Sequence, residues 1–492
     1  MSTTAPPTTA LIANVIDGEE RAAAGGESFA KLEPATGEVR SSVARSDGRD
    51  VEAAVAAART AQPAWARRTV AERGNLLRRI AQLLERDSEA LGATVAGETG
   101  KSPGDAAGEV GAAIEMGYFV AGEGRRFYGR TTTSGVANRQ AMTVRQPLGV
   151  AGLIIAANTP IANVAWKVFP ALLCGNAAVL KASEDTPETA LAFARLAAEA
   201  GLPPGVLNVV HGFGQEAGQP LVEHADVAVV SFTGSTAVGR LINRVAGERL
   251  AKVCLELGGK NPLIVCDDAD LPRAAEAAAL SAFSNAGQRC AAGSRILVFD
   301  SVYDEFKALL LERAGAQRVG PGDDHDFGPV INERQLSSML DAVARAQEAG
   351  ATILCGGRRM EGPEHAGGFY IEPTLVEGAE LSAEISCTEL FGPIATLHRV
   401  SDFEAAMQAA AQSPYGLTAA IWTGSVHRGQ EFVARIHSGV ASVNGPTYGS
   451  EPHMPFGGEG DSGTGWREAG TEALDVYSDW KTVYLNHDPE RV

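Results

Sequence analysis

The sequence lacks the marks of several protein classes. Its six cysteines, Cys174, Cys254, Cys266, Cys290, Cys355 and Cys387, form no CxxC pair, and a chain of 492 residues does not depend on disulfide staples. Free thiols in a reducing compartment are expected. Positive charge is scarce: 42 Lys and Arg stand against 60 Asp and Glu, a formal net charge of −18. That balance excludes nucleic acid and anionic membranes as partners, because basic side chains supply the phosphate-neutralising part of such binding. No run of about 18 apolar residues is available to cross a bilayer. The opening MSTTAPPTTA has neither the basic start nor the apolar stretch of a signal peptide, so a cytoplasmic protein is expected. GxSxG, HExxH and paired Cys/His patterns are missing too, which removes support for a serine hydrolase and for a metal centre. No internal repeat is found.

What is present is ordinary globular composition, 45% hydrophobic and 21% charged, with 56 glycines and 24 prolines dispersed along the chain. At roughly 100–200 residues per domain, the length predicts about three domains or one large two-lobed enzyme. Residues 1–30 predict a loose arm and one short strand pair. Asp50 is placed to cap a helix that Pro63 ends. Thr69 and Glu72 stand at capping-box spacing before Leu76, Leu77, Ile80, Leu83 and Leu84, the stripe of a second helix.

From Val150 the pattern changes. Apolar runs at Val150–Ala156, Ala177–Leu180, Val206–Val210, Val227–Phe232 and Lys252–Leu255 alternate with helical segments near 161–173, 187–200, 214–224 and 235–246, with Thr186-Pro187 read as a cap and first helical turn. Continuous apolar runs suit strands covered on both faces, and the alternation implies right-handed crossovers in a doubly wound parallel sheet. The pattern resumes after Gly258 at Leu263–Val265, Ile296–Phe299, Ala351–Leu354, Ala395–Val400, Leu417–Trp422 and Val440–Val443, predicting a second α/β lobe. Segments 130–148 and 475–485, the latter with Val476, Tyr477, Trp480, Val483 and Tyr484, predict exposed strands seeking partners, hence a homo-oligomer.

Individual motifs each admit two readings. Gly100-Lys101-Ser102 imitates the tail of a P-loop, but Val95 stands where that loop needs glycine and the segment follows a helix. Gly212, Gly214 and Gly218 are one residue off the dinucleotide fingerprint. Phe232-Thr233-Gly234-Ser235 ends a strand and opens a helix, where backbone amides suit a pyrophosphate or a plain capped turn. Glu256 ends a strand before Gly258-Gly259, which would supply unusual backbone angles; its carboxylate is a base or a surface charge. In Gly287-Gln288-Arg289-Cys290 a cation adjoins a cysteine and favours the attacking thiolate, although a lone cysteine is more often a small buried hydrophobe.

The motifs also form an ordered set. Asn158-Thr159-Pro160, Lys181-Ala182-Ser183-Glu184, Phe232–Ser235, Glu256–Pro262, Gly287–Cys290, Glu389-Leu390-Phe391-Gly392-Pro393 and Pro455-Phe456-Gly457-Gly458 follow one another in that order. Together with Glu33–Glu38, Glu98-Thr99-Gly100-Lys101 and Asp461–Gly465, they make the chain resemble the NAD(P)-dependent aldehyde dehydrogenase superfamily over nearly its whole length. The resemblance implies an α/β fold: a Rossmann-type cofactor domain (1–129 and 149–257), a second α/β catalytic domain (258–459), and a small β oligomerisation element with the tail (130–148 and 460–492). A homodimer or homotetramer is implied.

It also implies roles. Cys290 would add to the aldehyde carbon, with the oxyanion held by the Asn158 amide and the Cys290 backbone N–H. Glu256 would activate the water that hydrolyses the thioester, and Lys167 beside Trp166 would relay the proton. Lys181 and Glu184 would hold the adenosine ribose, favouring NAD while Ser183 admits NADP. Gly234 and Ser235 would meet the pyrophosphate, and Glu389 and Phe391 the nicotinamide ribose and ring. Tunnel positions fall on Thr159, Asn163, Trp166, Arg289, Ala291, Tyr448, Ser450 and Phe456, with His453 nearby. That polar set suits a small polar or anionic aldehyde of semialdehyde or phosphonoaldehyde type, with Arg289 either pairing its charge or salt-bridging a neighbour.

Two departures stand out. Ala157 replaces the usual tryptophan before the oxyanion asparagine, and Gly465-Trp466-Arg467-Glu468 is one residue longer than the common tail, which is expected to alter a subunit contact. A coenzyme A-acylating relative would lack Glu256, and a non-catalytic protein keeping the fold would have lost Cys290, Asn158 or Glu256. All three are present.

Overall fold

The computed structural model describes residues 11–491. The first ten residues of the expected arm lie outside that range, while residues 11–32 supply four short strands, Leu11–Ile12, Asn14–Ile16, Glu19–Arg21 and Ser28–Leu32. Two seven-stranded sheets carry the molecule. The first runs, in spatial order, Lys252–Glu256, Val227–Thr233, Val150–Ile154, Ala177–Lys181, Leu207–Val210, Asn14–Ile16 and Glu19–Arg21. Its first five strands are parallel and the last two are added antiparallel. The apolar runs therefore became strands buried on both faces, as parallel sheets under helices require. The helices Pro160–Leu173 and Pro187–Glu199 cross over between them. The segment near 214–224 starts as a π turn, Gly214–Gly218, before becoming Gln219–Glu223.

The second sheet runs Thr352–Cys355, Thr374–Glu377, Ile394–Val400, Gly293–Phe299, Asn261–Val265, Thr418–Trp422 and Val440–Val443, parallel except at the first pair. The segments expected to seek partners pair with each other: Arg139–Pro147 and Ser478–Asn486 run antiparallel through nine residue pairs, with Thr131–Thr132 added outside. Trp480, Tyr484 and Leu485 remain exposed on that ribbon.

Two expectations about helix ends are corrected. Pro63 does not end its helix, which continues from Gly48 to Arg67. The residue that carries the helix past the proline is Trp65, 1% exposed in the core, with its indole N–H on the Leu172 carbonyl at 3.0 Å. The helix cap is Asp47; Asp50 is the return partner of the capping box. Thr186 likewise sits at an N-cap without using its side chain, and its hydroxyl is buried with no partner. Glu98, from the helix Ser88–Thr99, closes that helix start instead, accepting from the Glu188 amide at 2.6 Å and the Thr189 amide at 2.9 Å.

Asn176 ties the first sheet to the C-terminal ribbon. Fully buried, it accepts from the amides of Leu148 and Gly149 (2.8 and 2.9 Å) and donates to the carbonyls of Ala171 and Tyr477 (3.0 and 2.8 Å). Asn176→Leu removes all four bonds and leaves the Tyr477 carbonyl and the Leu148 and Gly149 amides without this partner, at about 1–3 kcal/mol for each group that stays shielded from water. Differential scanning fluorimetry is expected to show Tm falling by several degrees.

Candidate active site

Four of the five parallel strands of the first sheet, Val150–Ile154, Ala177–Lys181, Val227–Thr233 and Lys252–Glu256, point their carboxyl ends at one cavity of about 850 Å³, whose opposite wall comes from the second sheet. Residues 156–159, 183–185, 233–235 and 256–258 continue from the first-sheet strands into this wall, and residues 285, 288–291, 388–391 and 448–450 face them.

Cys290 follows a turn in which Asn285, Ala286 and Gly287 take φ of 53°, 52° and 65°. Gly287 is required there, because a Cβ would collide with the Gly392 carbonyl. Asn261 holds the far side, donating to the carbonyls of Cys290 and Ala292 at 2.8 Å each. Burial, with the carboxyls of Glu389 and Glu256, pushes the Cys290 thiol up to about 12, and Arg289 opposes this only weakly. Arg289 thus favours the thiolate as expected, but burial and the two carboxyls outweigh it. Its guanidinium turns away to Asp105 at 3.1 Å and stacks 4.7 Å over the Tyr448 ring, although it still lines the cavity.

Asn158 reaches the same point from the first sheet, its side-chain amide donating to the Gln288 carbonyl at 3.1 Å. Glu256 ends its strand 5% exposed, with neither carboxylate oxygen hydrogen-bonded, and burial plus the neighbouring Glu468 raise its pKa well above the carboxylate range. The double glycine after it is explained by close approach instead of unusual angles. A Cβ on Gly258 would collide with the Glu389 carboxylate, and one on Gly259 would lie 2.8 Å from the Cys290 carbonyl. Glu389 accepts from the Gly259 amide at 3.0 Å, and burial pushes it up to about 7.

Lys167 is fully buried behind this wall, bonded to Glu468 at 2.5 Å and to Ser231 at 2.8 Å. Of the cofactor candidates, Gly234, Ser235, Glu184, Glu389 and Phe391 line the cavity. Lys181 stands just behind, 3.4 Å from Glu184. Among the pocket candidates, Trp166 and Phe456 meet edge to face with centroids 5.3 Å apart. Asn163 spends its amide protons on the Thr159 carbonyl and hydroxyl (2.9 and 2.8 Å), leaving only its oxygen for a ligand. His453 does not join them; it is exposed and 3.5 Å from Glu451.

Sequence reasoning missed Lys101, Asp105, Glu109 and Glu468, all on the cavity wall. A signal existed for Glu109: on the helix Pro103–Glu123 it falls on the apolar stripe with Val110, Ala113, Ile114 and Met116, and it is buried beside them.

The sequence model of the aldehyde dehydrogenase family matches residues 21–483. Alpha-ketoglutarate semialdehyde dehydrogenase of Haloferax volcanii is 39% identical, the match covering 96% of this chain and 98% of that protein. Betaine aldehyde dehydrogenase from Staphylococcus aureus, solved in complex with NAD+, superposes with a TM-score of 0.95 at 32% identity over 97% of this chain and 95% of that one. A 3,6-anhydro-L-galactose dehydrogenase solved in complex with NAP gives 0.94 at 37% identity, covering 97% of this chain and 100% of that one. The chain belongs to the aldehyde dehydrogenase family. It is an NAD(P)-dependent aldehyde oxidoreductase. Among the described residues no helix is long and apolar enough to cross a membrane.

A thiol with so high a pKa reacts slowly at neutral pH, since only the thiolate attacks. Iodoacetamide labelling of Cys290 in the cofactor-free protein, followed by peptide mass mapping, is expected to accelerate about tenfold per pH unit above neutrality, with no plateau below pH about 10.

Proposed function

We propose that this enzyme oxidises a short aldehyde with an anionic end to the corresponding acid, through a thioester on Cys290 that Glu256 helps to hydrolyse, with NAD preferred over NADP. The observation that carries the reading is the convergence, on one cavity, of Cys290 from the second sheet with Asn158 and Glu256 from the first.

The cavity suits a dinucleotide. The helix Thr236–Glu248 begins at its wall with Ser235 at the N-cap making no side-chain cap bond, so its start is left for an anion such as a diphosphate. Glu184, at the wall, fits ribose hydroxyls and repels a 2′-phosphate, and the positions of Glu389 and Phe391 fit the nicotinamide end. The first sheet with its helices forms the cofactor domain and the second sheet the catalytic domain. Bound there, NAD(P) supplies the hydride acceptor that converts the thiohemiacetal to a thioester.

The chain's own residues supply the rest. The Cys290 thiol gives up its proton to solvent water, its sulfur forms a C–S bond to the carbonyl carbon, and the π pair moves to oxygen. Asn158 has two amide protons; one is fixed on Gln288 and the other is available to that oxyanion. In the second half, ionised Glu256 takes a proton from water as the hydroxide adds to the thioester carbonyl; the C–S bond then breaks and the acid departs. Lys167 favours ionised Glu256 electrostatically, and Glu468 opposes it. Glu468 and Lys167 are the next polar groups for the proton Glu256 gains.

Arg289 supports the substrate class: its guanidinium lines the cavity one residue from the sulfur, and relatives include two alpha-ketoglutarate semialdehyde dehydrogenases and a 2,5-dioxopentanoate dehydrogenase. A substrate carboxylate would compete with Asp105 for the fork. The exposed ribbon Ser478–Asn486 is the proposed contact between subunits of a homodimer or homotetramer; a monomer by light scattering would count against it.

Glu256→Gln is expected to form about one equivalent of reduced nicotinamide per site and then stall, with the acyl group on Cys290 by intact mass spectrometry; continued turnover above about a hundredth of wild type overturns the hydrolytic role. For Arg289→Ala, the ratio of kcat/KM for a semialdehyde to that for an uncharged aldehyde of equal length should fall about 10- to 100-fold. An unchanged ratio removes the anionic substrate.

A further inference from the structure

We propose that Lys101 and Glu109 form a buried strut that sets the position of Asn158, which makes them positioning residues for oxyanion stabilisation. The inference rests on the reading of Asn158 as the oxyanion donor. The two side chains are 2% and 5% exposed, with Lys101 Nζ 2.5 Å from Glu109 Oε2. Lys101 Nζ also donates to the Asn158 carbonyl at 2.8 Å. The other Glu109 oxygen accepts from the amides of Ile161 and Ala162 at 2.9 and 3.3 Å. Those amides belong to the first turn of the helix Pro160–Leu173, whose own N-cap Thr159 makes no side-chain cap bond.

One ion pair therefore grips both ends of the turn from 158 to 162. A fixed carbonyl orients the peptide plane after Asn158, because that plane is rigid. With the helix start also pinned, the Asn158 backbone has little freedom left. The side-chain amide is then held on the Gln288 carbonyl, two residues from the nucleophile. An oxyanion donor has to be kept to a fraction of an ångström, and the helix's own bonding begins only after Asn158, at the Thr159 carbonyl that accepts from the Asn163 amide at 2.8 Å.

The molecule contains its own control. Glu98 closes the start of the neighbouring helix Pro187–Glu199 in the same manner, taking two amides and the Thr189 hydroxyl, and no lysine hydrogen-bonds to it; Lys31 acts on its charge only through space. Capping a helix here needs only the glutamate. What Lys101 adds at the equivalent position is the bond to Asn158.

The test is the double variant Lys101→Met/Glu109→Gln, which leaves no buried charge unpaired and keeps an amide oxygen for Ile161 and Ala162. Single-turnover formation of reduced nicotinamide should slow about 10- to 100-fold, less than the 10²–10³ typical of losing a donor outright, with aldehyde KM changed less than about threefold. In an Asn158→Ala background the same double change should slow it less than about twofold. Equal losses in both backgrounds, or no loss in either, overturn the strut. If Asn158→Ala alone leaves the rate unchanged, the oxyanion reading fails instead, so the two failures are separable. Should the double variant not fold, Lys101→Arg replaces it. Its bulkier fork should move the Asn158 carbonyl and slow the reaction only when Asn158 is present, and a change independent of Asn158 again overturns the proposal.

Discussion

The molecule's chemistry depends on what is done with the exposed amides at three helix starts. Three of the four crossovers of the first sheet, the helices Pro160–Leu173, Pro187–Glu199 and Thr236–Glu248, begin beside the cavity at the carboxyl end of a strand, where a helix leaves its first N–H groups unpaired and carries a partial positive charge. Two of these starts, at Pro160 and Pro187, are closed by glutamates from another helical layer, Glu109 and Glu98. The third, at Thr236, has no side-chain cap and faces the cavity. Closing two and leaving one directs the available positive end to a single place, where an anionic ligand is stabilised without a lysine or arginine beside it.

Around the sulfur the balance runs the other way. Cys290, Glu256 and Glu389 share one enclosed space, and burial raises all three; the two carboxyls add to it at Cys290, and Glu468 adds to it at Glu256. The neighbouring cation is diverted to Asp105. At neutral pH a thiol pushed this far up is held almost entirely protonated. Such a site resists oxidation and adventitious alkylation while it waits, because both proceed through the thiolate. Reactivity then depends on what binds: any ligand that places positive charge beside the sulfur, or displaces a carboxyl, lowers the cost of ionising it.

This division explains which parts could be read from the chain alone. Strands such as Val227–Thr233 were legible because a strand covered on both faces is a continuous apolar run. The cavity residues Cys290, Asn158 and Glu256 were legible as an ordered set of motifs. Contacts made across large sequence separations were not. Pro63 stays helical because a tryptophan two residues on docks against residue 172. Thr186 leaves its hydroxyl unused because Glu98 already fills its role. Arg289 faces an acid 184 residues away, and Lys101 looked like a fragment of a phosphate loop until its partner at residue 57 positions further on was visible. In each case the bond that decides the residue's place lies with another element, out of reach of local pattern.

The turn before Cys290 shows how the two sheets divide the work. Three consecutive left-handed residues, two of them not glycine, carry a conformational cost of roughly 1–2 kcal/mol for each L-residue. Such a turn persists only if its surroundings over-determine it. They do: Gln288 N–H returns to the Asn285 carbonyl at 3.0 Å, the Gln288 side chain accepts from Ile331 at 2.9 Å, and Asn261 holds the two carbonyls beyond. All of these restraints come from the second lobe. The Asn158 amide adds the one bond that crosses from the first, and it lands on the Gln288 carbonyl. The relative position of Cys290 and Asn158 is therefore set by a direct bond between their loops, so under the proposed mechanism a shift of either lobe would be felt first at the reacting carbon.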